Sequence, residues 1–244
     1  MEVRAEGYDQ NTLESDQLPY FIAAAHELKA PLALIRQLAL SLEGIEMTAD
    51  EQARLLRQIA LTSEKGLRLT TDLTRSYRLE DGLFELEPIN SRQLCEEVAH
   101  ELTPLYTAKG RELRVASGRG QIMALANRDL LSRIVTSFAD NALHYGDDRA
   151  PVFIQTSRSN STENVRISVR DYGPALPAAI WKKIKLRLGS SPQLLQNRPA
   201  SSGLGLYIAS QFAEAMQGSI GATRHSDGTT FFVDLHASQQ LKLL

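Results

Sequence analysis

Phe21, Ala25, Leu28, Leu32, Ile35, Ala39 and Leu42 are spaced alternately by four and three. That alternation is the seam of a helix packed lengthwise on another helix. Gly44 offers a stop, and Thr48-Ala49-Asp50-Glu51 is a capping-box pattern that starts a second helix. Leu55, Ile59, Thr62, Gly66, Leu69, Leu73 and Ser76 continue the alternation with weaker apolar content. Two long helices joined by a short loop make an antiparallel hairpin. One hairpin has too little core to be stable alone. Pairing two of them in a four-helix bundle supplies that core, so the pattern predicts a homodimer.

From Leu83 the period changes. LFELEPI reads as a short strand, and SRQLCEEVAHEL as a helix with Ser91 at its N-cap. RELRVAS and QIMALA read as strands, RDLLSRIVTSFADNALHYG as a long helix, and VFIQTS and NVRISVRDYG as strands. LGLYIASQFAEAM is a helix, and SIGATRHSDGTTFFVDL a hairpin turning at Asp227-Gly228. The result is a mixed α+β layer. The chain therefore divides into an N-terminal segment (1–16), a helical hairpin (17–82) and an α/β-sandwich domain (83–244). Between Pro174 and Ser202, prolines, serines and mixed charges predict a long loop with a short helix around Trp181. Loops of that length are often functional.

Bulk properties exclude several classes. Hydrophobic residues make up 43% and charged residues 23%, an ordinary globular balance. A net charge of -2 gives no general attraction to nucleic acid or anionic lipid. The single cysteine, Cys95, rules out an intrachain disulfide and reads as a small core residue. No apolar run approaches the roughly 20 residues needed to cross a bilayer, and MEVRAEGYDQ has no signal-peptide core. The chain reads as soluble, whole or as the inner part of a longer protein. His100, His225 and His236 have no ligand spacing around them, and no zinc pattern is present. The lysines at 182, 183 and 185 beside Trp181 read as a solvated face.

His26 interrupts the first helix differently. On a wheel of about 100° per residue it falls roughly 150° from the seam, facing out, with Ala30 on the same face. Glu27 lies toward a flank. Pro31 removes a backbone donor and crowds the carbonyl of Glu27, which predicts a kink below the histidine. An exposed imidazole beside a carboxylate can attack as a nucleophile while the carboxylate takes its proton.

HELKAPL, residues 26–32, resembles the phosphoacceptor box of sensor histidine kinases, usually H-E-L-R-T-P-L. The resemblance makes His26 the phosphorylated residue and Glu27 the base. Three more stretches follow in the family's order. Asp140-Asn141-Ala142-Leu143-His144-Tyr145 resembles the asparagine box. There Asn141 matches the magnesium ligand and Tyr145 the aromatic near adenine. Ser137 stands where a first asparagine or an acid is usual, and His144 where a phosphate-contacting lysine is usual. Asp171-Tyr172-Gly173-Pro174-Ala175 resembles D-x-G-x-G, whose aspartate accepts a hydrogen bond from the adenine amino group. Asp171 and Gly173 are present, and Ala175 replaces the second glycine. Ser202-Gly203-Leu204-Gly205-Leu206 resembles the G-x-G-L glycine box. Gly203 and Gly205 there let the backbone approach phosphates at a helix N-terminus, or allow close helix packing.

The resemblance covers most of the chain. It implies a dimeric phosphoacceptor hairpin followed by an ATP-binding domain of Bergerat type, with the long loop as ATP lid and Arg198 exposed in it. It implies ATP and Mg2+ as cofactors, and a response regulator as partner. It implies no contact with nucleic acid and no direct insertion in a membrane. The location is cytoplasmic, as a free chain or as part of a larger membrane-tethered sensor. Ala30, where the family commonly has threonine or asparagine, predicts weak phosphatase activity. The reading of another class is a catalytically weak dimeric scaffold that docks the regulator, with Ser137, His144 and Ala175 marking a decayed site.

Overall fold

The computed structural model describes residues 10–43, 47–78, 84–117, 121–147, 150–158, 163–173, 178, 181–182 and 204–238. Two helices open the chain, α1 (Gln10–Glu43) and α2 (Ala49–Arg78). The expected capping box starts α2. The Thr48 N–H donates to Glu51 Oε2 at 3.0 Å, and the Glu51 N–H donates to Thr48 Oγ1 at 3.3 Å. The Thr48 N–H, and the Thr48 hydroxyl that donates to the same oxygen at 2.9 Å, hold the Glu51 carboxyl below its usual range.

The buried face of α1 differs from the expected seam. Ala24 and Leu38 are buried, while Ala25 is exposed and Leu32 is 64% exposed. Leu28, Pro31 and Ile35 between them, and Ala39 and Leu42 beyond, are half-buried. The stripe 24, 28, 31, 35, 38, 42 keeps the four-three spacing, with every second position moved back by one. Pro31 explains the shift. Its ring packs on α2, with Cγ 3.8 Å from where a Cβ on Gly66 would stand. The helix continues through Pro31 to Glu43.

The chain divides within α2, between Thr70 and Thr71, into a hairpin unit and an α/β unit. The α/β unit begins with β1 (Glu87–Asn90), α3 (Ser91–Ala108), β2 (Leu113–Val115), β3 (Met123–Ala126) and α4 (Arg128–Tyr145). It continues with β4 (Val152–Arg158), β5 (Asn164–Arg170), α5 (Leu204–Ala215), β6 (Ser219–His225) and β7 (Gly228–His236). Asn90, not Ser91, caps α3. The Asn90 side chain accepts from the Gln93 N–H, while the buried Ser91 gives its own N–H to the Ile122 carbonyl.

Five strands form one sheet in the order β2-β4-β5-β7-β6, and β1 pairs with β3 in a second, two-stranded sheet. β2 and β4 are parallel, and the other pairs are antiparallel. One face of the large sheet is apolar by strict alternation. Val152 and Ile154, then Val165, Ile167 and Val169, then Phe231, Val233 and Leu235 are all buried. Helices α3 and α4 cover that face with Leu94, Val98 and Leu102 of α3 and Leu131, Ile134 and Phe138 of α4, and Ile208 and Phe212 of α5 are buried as well. Phe138 stacks on Phe231 with ring centroids 5.9 Å apart. Cys95 lies in the same core, and burial pushes its thiol up to about 12. On the opposite face Arg166 makes a two-nitrogen pair with Asp234 at 2.7 and 2.6 Å.

A cation is buried in this layer. Arg111, 6% exposed, donates from Nη1 to the carbonyls of Ala142 and Leu143, both at 2.9 Å. A cation at a helix C-terminus meets the negative end of the helix dipole and carbonyls with no helical partner. Beside it Tyr106 donates its hydroxyl to the Ala139 carbonyl at 2.8 Å, and burial raises its phenol well above the ordinary value. These two side chains fasten the last turns of α4. Arg111→Met is expected to lower the unfolding free energy by about 3 kcal/mol, the scale of two charge-assisted bonds lost in a buried setting. A denaturant titration checks this, and a change below about 0.5 kcal/mol would contradict it.

Candidate functional site

The site is built where α4 ends and β5 ends. β5 carries its apolar alternation up to Val169, and the chain leaves the sheet at Asp171. Asp171 is 6% exposed although it is acidic. Its backbone N–H donates to the Thr229 carbonyl at 2.9 Å, and the Thr229 N–H donates to Asp171 Oδ1 at 2.8 Å. One carboxylate oxygen is thus held by the first residues of β7, and Oδ2 is left to meet another donor. Burial raises the carboxyl above its ordinary value. The Thr229 bond and the cations Arg170, Arg111 and His225 pull the other way and do not outweigh it.

Gly228 makes this closeness possible. The expected turn at Asp227-Gly228 is in fact a two-residue turn at Ser226-Asp227, and Gly228 pairs with His225 as the first residue of β7. It adopts φ +139°, and a Cβ there would collide with the Asp171 carbonyl and stand 2.8 Å from Asp171 Oδ1. The glycine serves the approach to Asp171 more than the turn itself.

The end of α4 abuts the same loop. The Asp147 N–H donates to the Tyr172 carbonyl. A Cβ on Gly146 would press on Arg111 Nη2 and on the Tyr172 carbonyl at 3.3 Å. Asp140 and Asn141 are half-buried on the last turns of α4. Asp140 Oδ1 and Asn141 Nδ2 are buried without a hydrogen-bond partner. His144 is exposed, and its Nδ1 lies 2.7 Å from the Asp140 carbonyl. That places a hydrogen on Nδ1 in the neutral ring and leaves Nε2 as the acceptor. Tyr145 closes the helix, and its side chain lies outside the described residues. Gly173 donates its N–H to the Asp227 carbonyl at 3.1 Å.

The glycine box is described only in part. Leu204, fully buried, opens α5, while Gly203, Arg198, Pro174 and Ala175 lie outside the described residues. Of the expected long loop only Ala178, Trp181 and Lys182 are described, and all three are helical. Gly205 lies inside α5, and a Cβ on it would stand 3.0 Å from Ser137 Oγ. Close helix packing is therefore a working role of this glycine, and the small Ser137 is its counterpart on α4.

His26 and Glu27 belong to the hairpin unit, and the remaining expected residues to the ends of α4, β5 and α5. His26 is exposed and Glu27 half-buried. Ala30 is exposed, as expected from the wheel. Sequence reasoning did not find Thr229, Gly228, Arg170 or Arg111. The D-G pair with alternating residues after it pointed to a hairpin. Only the β5–β7 register, which sets Arg170 against Thr230, brings that hairpin to Asp171.

Among the described residues no group of three or more His, Cys, Asp or Glu side chains could hold a metal ion alone. No helix there is long and apolar enough to cross a membrane. The buried atoms without partners at α4 are one carboxylate oxygen, Asp140 Oδ1, and one amide nitrogen, Asn141 Nδ2, and only the oxygens of the two side chains can meet a cation there. They suit a hard cation that takes one or two protein oxygens and completes its shell with water and phosphate.

Known proteins are similar to this chain in sequence and in fold. Residues 126–239 match the family described as histidine kinase-, DNA gyrase B- and HSP90-like ATPase. The sensor protein KdpD of Mycobacterium tuberculosis is 29% identical over 234 residues, covering 89% of this chain and 26% of KdpD. The histidine protein kinase SaeS of Staphylococcus aureus is 27% identical over 215 residues, covering 87% of this chain and 61% of SaeS. The chain thus spans about a quarter of KdpD and 61% of SaeS, less than two thirds of either. The fold matches full-length ShkA, crystallised with AMPPNP, with a TM-score of 0.60 at 22% identity, over 95% of this chain and 46% of that one. The α/β unit thus carries a domain similar to the histidine kinase-, DNA gyrase B- and HSP90-like ATPase family over residues 126–239, and the relatives similar to the chain are named as a sensor protein and a histidine protein kinase.

Proposed function

We propose that the chain is an ATP-dependent protein-histidine kinase. Residues 17–82 are its dimerisation and phosphotransfer hairpin, and residues 83–244 its catalytic ATP-binding domain. The observation that carries this reading is Asp171, a buried carboxylate with Oδ1 held by Thr229 and Oδ2 left for a donor. An exocyclic adenine amino group is a donor of the right kind. Asn141, with Asp140 beside it on the last turns of α4, would supply oxygens suited to Mg2+, which when bound neutralises phosphate charge. His144 replaces an amine with an imidazole whose Nε2 is the outward atom. The reading assigns Gly173, Gly203, Leu204 and Gly205 to backbone recognition of the nucleotide, and Tyr145 to its base.

The chemistry follows from His26. A lone pair on one ring nitrogen forms a bond to the γ-phosphorus as the bond to the β,γ-bridging oxygen breaks. The nucleoside diphosphate leaves with that oxygen, and the proton on the other ring nitrogen passes to Glu27. Positioning contributes most of the rate in such transfers. The phosphoryl group then passes to an aspartate of a response-regulator receiver domain. A homodimer is supported by the hairpin surface, where Leu32 is 64% and Leu67 67% exposed.

Three outcomes test this reading. Mg-ATP labelled at the γ-phosphate is expected to leave acid-labile, base-stable label on the parent and none on His26→Gln. A folded parent without label would replace the kinase with a dimeric scaffold that docks the regulator. Ala30 offers no hydroxyl or amide to orient water, so the parent is expected to be a weak phosphatase. Ala30→Thr should speed dephosphorylation of the regulator by about tenfold, the worth of one positioned hydrogen bond, and no gain over the parent would refute the idea.

Asp171→Asn keeps an acceptor for Thr229 and removes the charge. Because burial raises the folded-state value, the carboxyl's stabilising contribution is present in acid and is lost as pH rises through that raised value. The variant is therefore expected to be more stable than the parent at neutral pH, with the difference closing as pH falls through that raised value. Its ADP affinity should drop by about tenfold or more. Thermal melts across pH, with calorimetric ADP titration, check both. A variant less stable than the parent at every pH would contradict the account.

A further inference from the structure

Arg170, the last residue of β5, has a part in the site that goes beyond its place in the sheet. Its guanidinium has three attachments. Nη1 donates to the Asp171 carbonyl at 2.6 Å. Nη2 pairs with Asp227 Oδ1, in the β6–β7 turn, at 2.5 Å. The plane lies over the Tyr172 ring, with Cζ 4.5 Å from its centroid. The Arg170 side chain is 13% exposed, so these contacts are shielded on its side.

The consequence is geometric. The peptide before Asp171 is held by its N–H on the Thr229 carbonyl. The peptide after it is held by Arg170 Nη1 on the Asp171 carbonyl. With both planes fixed, the carboxylate has only side-chain rotation left, and the Thr229 N–H on Oδ1 removes that. The second arm of Arg170 holds the turn that supplies Thr229. The same turn receives Gly173, through its N–H on the Asp227 carbonyl. Tyr172 is gripped from two sides, by Arg170 and by Phe153 edge-on at 6.3 Å. One side chain thus ties the loop after β5 to the turn before β7.

We propose that Arg170 is a positioning residue for base recognition. By locking the two peptide planes around Asp171 it aims Oδ2, and so sets the preference for a 6-amino over a 6-oxo purine. This rests on the reading that Asp171 accepts the adenine amino group. A lysine cannot replace it, because a single ammonium cannot reach the carbonyl and the carboxylate in one planar fork.

The test is calorimetric titration of ADP and of IDP, which carries a 6-oxo group, into the parent, Arg170→Met, Arg170→Lys and Asp227→Ala. The parent is expected to prefer ADP. Arg170→Met should lose ADP affinity by about tenfold and keep its IDP affinity, so that the preference collapses. Arg170→Lys should not restore it, and Asp227→Ala, which removes only the Nη2 arm, should lose part of it. Parallel melts separate this from unfolding, since a merely structural residue would weaken both nucleotides alike. If Arg170→Met does not fold, Asp227→Ala carries the test, and an ADP-to-IDP ratio equal to the parent's overturns the proposal. A discriminating parent whose Arg170→Met variant keeps the parent ratio overturns the proposal alone. A parent that binds ADP and IDP equally overturns the reading of Asp171 and the proposal with it.

Discussion

A carboxylate that is 6% exposed has to be compensated, and the compensation of Asp171 organises the α/β unit. Thr229 must lie opposite it, so β5 and β7 can pair only in the register that sets Arg170 against Thr230. Gly228 must lack a side chain, or β7 could not begin so close to the loop. The α4 terminus must sit near enough for Asp147 to bond Tyr172, and Arg111 fastens that terminus from behind. Sheet register, turn position and helix end are therefore consequences of one buried charge. The raised acidity value of Asp171 indicates that the compensation is incomplete, as expected where a ligand supplies the last donor.

Local patterns were legible in the sequence because they depend on near neighbours. The Thr48–Glu51 capping box is closed as read, since its groups are three residues apart. Strand alternation in β4, β5 and β7 gave the apolar face directly. Where two local solutions competed, tertiary contacts chose. Asn90 caps α3 because the Ser91 N–H is taken by Ile122. The α1 seam uses Pro31 rather than Leu32 because the proline ring packs beside Gly66. The motif residues Asn141, Asp171 and Gly173 were found by resemblance, but their supports were not. Thr229 lies 58 positions from Asp171, and Arg111 lies 31 from Ala142. No spacing rule links residues so far apart.

Ser137 and Gly205 change how the departures from the family pattern are understood. A serine where an asparagine is usual reads in isolation as loss. Gly205 on α5 would bring a Cβ to 3.0 Å from Ser137 Oγ, so the two residues fit as a pair. A longer side chain at 137 would push α5 away from α4. The substitution is then part of how these two helices meet, while Asp140 Oδ1 and Asn141 Nδ2 on the same helix are buried polar atoms without a hydrogen-bond partner.

The most direct measurement is a crystal structure with a non-hydrolysable ATP analogue and Mg2+. The account predicts the adenine amino group within hydrogen-bond distance of Asp171 Oδ2, with Thr229 still on Oδ1 and the metal on the Asn141 amide oxygen. Adenine bound without contact to Asp171, or Asp171 turned away from Thr229, would contradict it.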